Sequence, residues 1–175
     1  MESRKGLIQV YTGEGKGKTT AALGQAMRAA GQGLKVYIVQ FMKGWLHYGE
    51  LDTVGQHPSV TIEQFGRPDY VDKNDPDPED FRLAGEALER GREVLTSGEY
   101  DLVILDEVNV ALEWNLIELD DLLSLLDQKP DDVELILTGR YAHSEVIARA
   151  DLVTEMREIK HPFHKGIISR RGIEY

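Results

Sequence analysis

Short apolar runs bounded by turn residues alternate with stretches of helical periodicity from one end of the chain to the other. That alternation predicts an α/β fold of successive βα units around a mostly parallel sheet. A first strand is expected at Leu7 to Tyr11, running through a glycine-rich turn into a helix from Lys18 to about Gln32. Ala21, Ala22, Ala26, Ala29 and Ala30 give that helix a small-residue surface suited to close packing on a sheet, and Gly31 and Gly33 stop it. Val36 to Val39 reads as a short buried strand and Val60 to Gln64 as one with alternating character, separated by a long loop. Asp69 to Asp80 holds two prolines and six acidic residues, a solvated loop ending with Asp77 as N-cap and Pro78 at the first helical position. The helix that follows runs to Ser97. Leu102 to Leu105 is uniformly apolar, as a central parallel strand buried on both faces would be. Leu116 to Leu126 has helical spacing, Val133 to Leu137 reads as a strand, Ser144 to Ala150 as a short capped helix, and the remainder as mixed strand and loop.

Composition narrows the picture. With 175 residues, 41% of them hydrophobic and 29% charged, residues 1–175 are expected to form one domain with a core able to fold unaided. A net charge of -11 has the wrong sign for affinity built on nucleic-acid phosphates or anionic lipid, so neither nucleic acid nor membrane is expected as a partner. The absence of cysteine excludes disulfides, thiol nucleophiles and thiolate metal sites. Met1 to Gly6 lacks the apolar core of a signal peptide and no run is long enough to span a membrane, so a cytoplasmic protein is expected.

The chemistry lies at the predicted strand ends. Thr12 to Thr20 reads T-G-E-G-K-G-K-T-T between the first strand and the first helix. Gly17, Lys18 and Thr19 match the second half of the P-loop pattern, while Gly13 sits one place after the expected first glycine. Closely spaced glycines allow backbone N–H groups to converge on phosphate oxygens, Lys18 adds a point charge and the Thr19 hydroxyl can bind Mg²⁺. Asp106 and Glu107 end the Leu102 to Leu105 strand, where an acidic pair can hold the metal of a bound nucleotide, or simply cap a helix. Arg140 ends the next strand at the same edge and can reach a phosphate, or serve as an ordinary surface arginine. Arg28 lies too far along the first helix to join them and is expected to form a salt bridge. Phe41, Trp45, Tyr48, Phe65 and Tyr70 fall in the loops after the second and third strands, where a flat ligand or a lid would use some of them and packing the others. His161 and His164, in H-P-F-H, lack a suitably spaced third ligand and read as a turn.

The runs GEGKGKTTAALG (Gly13 to Gly24), VQFMKG (Val39 to Gly44), YDLVILDEVNVAL (Tyr100 to Leu112), LILTGR (Leu135 to Arg140), ADLVTEM (Ala150 to Met156) and KHPFHKGI (Lys160 to Ile167) occur in the order found in P-loop ATP:corrinoid adenosyltransferases, which the chain resembles over nearly its whole length. That family carries the same displaced glycine. The resemblance implies a P-loop, RecA-like sheet with helices on both faces. It also implies a homodimer, and transfer of the 5′-deoxyadenosyl group of ATP to the Co(I) centre of cobalamin or cob(I)yrinic acid a,c-diamide with release of triphosphate. It implies Mg²⁺ or Mn²⁺ as cofactor, a reductase that supplies Co(I), and ATP bound in the reverse sense to that of a kinase.

Carried onto this sequence, Gly13, Glu14, Gly15, Lys16, Gly17, Lys18, Thr19 and Thr20 form the nucleotide loop, Thr19 and Glu107 bind the metal, and Arg140 lies near the phosphates. Glu14 replaces an asparagine found in many members. The aromatic pair that some members close beneath the corrin ring falls in F-G-R-P-D-Y, so Phe65 or Tyr70 would take that duty. About six residues precede the first strand, so the N-terminal cover of the partner's site seen in some members is not expected. Two other readings of a P-loop with an acidic pair are a conventional phosphotransferase or ATPase and a RecA-like nucleotide switch.

Overall fold

A computed structural model describes residues 5–175; the opening stretch read as lacking a signal peptide lies, for its first four residues, outside the described residues. Six strands form one sheet in the order β3-β2-β4-β5-β1-β6, and every neighbouring pair is parallel. They are β1 (Ile8–Thr12), β2 (Val36–Phe41), β3 (Val60–Phe65), β4 (Leu102–Asp106), β5 (Glu134–Thr138) and β6 (Leu152–Glu155). Alternation along each strand splits the core into two layers. On one face Val10, Val39, Val103, Leu105, Leu135 and Leu137 pack under α3 (Pro78–Thr96), α4 (Val108–Glu113), α5 (Leu119–Asp127) and α6 (Ser144–Arg149). On the other, Tyr11, Ile38, Ile104 and Ile136 meet Ala22, Ala26, Ala29 and Ala30 of α1 (Lys18–Gly31). The α/β class with helices on both faces is therefore as expected. One face is served mainly by a single alanine-lined helix, the other by four.

Several boundaries follow the sequence closely. Asp77 caps α3 by accepting from the Glu79 N–H at 2.9 Å, Pro78 is its first residue, and Asp80 closes the reciprocal half of a capping box. Elsewhere the fold corrects the expectations. β2 runs on to Phe41, so Phe41 is a fully buried core residue and not a loop aromatic. Phe65 ends β3 and packs against the core. The long loop between β2 and β3 contains the short helix α2 (Gly49–Asp52) and a 3₁₀ turn at Val54–Gln56. Val108–Glu113 is helical although V-N-V-A-L suggests no helix by itself, and α5 starts later than expected. Among the described residues Arg28 meets Gln25, at 3.4 Å, in place of the expected carboxylate. No described helix is long and apolar enough to cross a membrane.

Candidate active site

The turns after β1, β2, β4 and β5 converge at the C-terminal edge of the sheet, where open parallel sheets bind ligands. The turn after β1 is the glycine loop. Gly13 has φ 96°, and a Cβ there would lie 2.5 Å from the Met156 carbonyl oxygen, so both backbone sense and space require glycine. The loop is stitched to the chain beyond β6: Gly15 N–H donates to Met156 O at 2.7 Å, and Met156 N–H to Thr12 O at 2.8 Å. Lys18 is buried and curls back over the loop, Nζ donating to the carbonyls of Gly13 and Gly15 at 2.7 Å each. Two of its three N–H bonds are thus used, leaving one for a ligand. Burial pulls its pKa below the ordinary lysine value, opposed by the charges of Glu107, Glu14 and Asp106. The first N–H groups of α1 have no partner within the helix and, with the helix dipole, favour an anion there.

Asp106 is the hub of the edge. Its Oδ1 accepts from Thr19 Oγ1 at 2.9 Å and from Thr138 Oγ1 at 2.7 Å; its Oδ2 accepts from Lys43 Nζ at 2.8 Å and Gln40 Nε2 at 3.3 Å. Burial works against its charge, but Lys43 and these hydroxyls hold its pKa below the ordinary carboxylate value. Glu107, in the left-handed region at φ 65°, donates its N–H to Thr138 Oγ1 at 2.9 Å. Among the described residues nothing donates to its carboxylate, and burial together with the Asp106 charge raises its pKa.

Gly15 to Thr20, Lys43 and Glu107 line a cavity of about 960 Å³ together with Tyr48, Tyr70, Trp114, Arg140, Tyr141 and Tyr175, with Asp106 buried behind its wall. An adjoining cavity of about 400 Å³ shares Met42, Lys43, Tyr48, Tyr70, Glu174 and Tyr175 and adds Trp45. We refer to the larger as the loop lobe and the smaller as the aromatic lobe. Trp45 makes edge-to-face contacts with Tyr48 at 5.5 Å and Tyr175 at 5.0 Å.

The family model for ATP:corrinoid adenosyltransferase BtuR/CobO/CobP matches residues 4–175. The chain belongs to that family. It is 36% identical over 173 residues to a corrinoid adenosyltransferase of Sinorhizobium sp, covering 98% of this chain and 81% of that one. It is 34% identical over 174 residues to the corrinoid adenosyltransferases of Escherichia coli and of Salmonella typhimurium, covering 99% of this chain and 88% of each. A flagellar accessory protein, FlaH of Methanocaldococcus jannaschii, shares the fold alone: TM-score 0.61 at 12% identity, over 87% of this chain and 71% of that one.

In this adenosyltransferase the structure brings some of the residues singled out in the sequence together and leaves others apart. Gly15 to Thr20, Glu107, Arg140 and Tyr70 line the loop lobe together. Glu14 and Arg140 pair at 3.4 Å beside it, so the loop glutamate has a partner. Phe65 stands apart, against the core, whereas Tyr70 is 95% exposed. His164 sits in a 3₁₀ turn, Pro162–Lys165, that His161 caps, its Nδ1 accepting from Phe163 N–H at 3.2 Å, and His161 also lines the loop lobe. Sequence reading missed Lys43, Gln40, Thr138 and Tyr141. Gln40 carried a signal: a glutamine inside the apolar run VYIVQF is buried only with partners.

Proposed function

We propose that residues 1–175 form one adenosyltransferase domain that moves the 5′-deoxyadenosyl group of ATP to the Co(I) centre of a corrinoid. The electron pair of Co(I) attacks C5′, the C5′–O bond breaks, and its electrons leave with intact triphosphate. No proton is transferred, so no general base is needed. The protein's task is alignment and neutralisation of the leaving charge. Lys18 and the N–H groups from Lys16 to Thr20 receive the triphosphate, and Arg140 flanks it; the amide of Gly15 is already committed to Met156. The observation that carries this reading is the loop lobe itself, a phosphate loop opening directly into an aromatic lobe large enough for a ring system beside it.

The oxygen donors at the edge fit Mg²⁺ or Mn²⁺, which favour hard ligands. Glu107 is the fitting carboxylate, because it lacks a hydrogen-bond donor among the described residues and carries a raised pKa that a cation would relieve. Thr19 is the second protein ligand in this reading. Such an ion supplies charge neutralisation at the phosphates. Tyr70 faces the corrin, with Phe65 supporting the strand end behind it. A homodimer is part of the same proposal, supported by the apolar exposure of Leu152 and Val153 on edge strand β6 and of Ile159, Phe163 and Ile168 beyond it. The enzyme works in the cytoplasm, alongside ATP and a reductase that supplies Co(I).

The test is the product. With ATP, Mg²⁺ and chemically reduced cob(I)alamin under anaerobic conditions, phosphorus NMR should find inorganic triphosphate in equal amount to adenosylcobalamin, and almost no ADP when corrinoid is omitted. Stoichiometric ADP without triphosphate would instead identify a phosphotransferase, which must break the β–γ bond.

A further inference from the structure

Lys43 has no part in the reaction as described so far, yet it is built into the cleft as firmly as Lys18. Its backbone belongs to the turn that ends β2. Met42 there has φ 57° and donates its N–H to Phe65 O at 2.8 Å. Gly44 and Gly66 are pressed together: a Cβ on Gly44 would lie 2.0 Å from Gly66 O, and one on Gly66 would lie 2.4 Å from Lys43 N. Two interlocked glycines leave the turn little freedom, and it delivers the lysine side chain to the end of β4. There Nζ sits 2.8 Å from Asp106 Oδ2, 3.6 Å from Glu50 Oε1 and 5.2 Å from the Tyr48 ring centroid, with 14% of the side chain exposed. Burial alone would lower its pKa, but Asp106 overrides this and keeps the ammonium charged.

The effect on Asp106 is saturation. Lys43 and Gln40 occupy Oδ2 while Thr19 and Thr138 occupy Oδ1, so four donors meet one carboxylate and both oxygens are engaged. Glu107, one residue further on, has no such donors among the described residues. Without an ammonium beside it, Asp106 would have an open acceptor position on Oδ2 at the same strand end, where it could chelate a cation jointly with Glu107 and pull away from the Thr19 hydroxyl. Resting on the metal reading given under the proposed function, we propose that Lys43 is a positioning residue. It keeps Asp106 out of the divalent cation's coordination sphere, as the anchor of Thr19, and so makes Glu107 the carboxylate that takes the ion.

Mn²⁺ binding to the full chain, counted by electron paramagnetic resonance, tests this apart from turnover. K43M should bind Mn²⁺ roughly tenfold or more tightly than wild type, the scale on which the groups around a metal site move affinity. The charge-balanced double variant K43M/D106N should bind it as wild type does, and E107Q should lose roughly tenfold or more. Unchanged or weaker Mn²⁺ binding by folded K43M would overturn the proposal. Should K43M not fold, the double variant decides alone, and a loss equal to that of E107Q would make Asp106 a ligand and the proposal wrong. Full Mn²⁺ affinity in E107Q overturns the metal reading itself, and the role given to Lys43 falls with it.

Discussion

The two lobes of the cleft are held together in different ways. In the loop lobe, directional bonds link residues far apart in the chain: Thr19 and Lys43 both reach Asp106, 87 and 63 positions away, and Gly15 is tied to Met156. In the aromatic lobe the contacts are ring edges, Trp45 against Tyr48 and Tyr175, with Tyr70 projecting almost fully into solvent. A triphosphate carries a large charge, and a lobe fixed in advance would stabilise that charge without reorganising as it leaves. A corrin is broad and flat, and ring edges with few polar constraints can shift to admit it. Under the proposed function, the cleft is rigid where charge would develop and adaptable where bulk would enter.

Breaking the rigid side should have the largest effect. Under the proposed function, Lys18→Ala removes the ammonium that would meet the leaving group and should lower kcat by roughly 10²–10³-fold while the far-ultraviolet circular dichroism stays native. Wild-type turnover by that variant would remove the loop from the mechanism. Next comes the loop that lines the aromatic lobe from Arg67 to Tyr70. Arg67, in the loop leading to Tyr70, donates to Asp80 Oδ1 at 2.8 Å and Oδ2 at 3.0 Å, tying that loop to the start of α3. Asp80→Ala breaks a part-buried ion pair and a capping box and should lower Tm by several degrees, read by thermal unfolding.

The same aspartate has a pH signature. The Arg67 hydrogen bonds hold its pKa below the ordinary 3.8, so its stabilisation is present above that value and is lost as pH falls through the folded-state pKa. The variant's acid-unfolding limb should therefore be shallower than wild type below about pH 4. Parallel limbs would show that the pair contributes nothing. The smallest effect is expected on the adaptable side. Tyr70→Ala should raise KM for cobalamin more than for cobinamide, by up to tenfold, with KM for ATP unchanged, since one exposed stacking ring is worth about 1 kcal/mol. Phe65→Ala should instead lower Tm, because that ring packs on the core. Equal KM changes for both corrinoids in the Tyr70 variant would show that the ring does not distinguish a corrinoid with a lower axial base from one without it.

How far the sequence disclosed this division follows from range. The glycine loop, the acidic pair at the end of β4 and the Asp77–Pro78 start of α3 are local patterns, and each is legible because its chemistry lies within a few neighbouring residues. The bond from Lys43 to Asp106 joins two strand ends that become neighbours only once β2 and β4 pair, and no local spacing encodes that pairing. β6 escaped a sharp reading for the opposite reason. It is exposed along its whole length, so it has no buried face to print an alternation on the sequence. Phe41 and Phe65 look like loop residues in the sequence because the period that marks a strand fades at its last position, where they lie.

The stitch between Gly15 and Met156 has a further consequence for how the molecule breathes. β6 has a single neighbour in the sheet, β1, and so belongs to the part of the fold that opens most readily in local fluctuations. Because the carbonyl and amide of Met156 hold the glycine loop, each opening of that edge releases the loop as well. Any ligand gripping the closed loop must, by mass action, suppress the opening by as much as it favours the closed form. Slowed amide exchange along β6 would then register occupancy of the loop from the sheet's outermost strand.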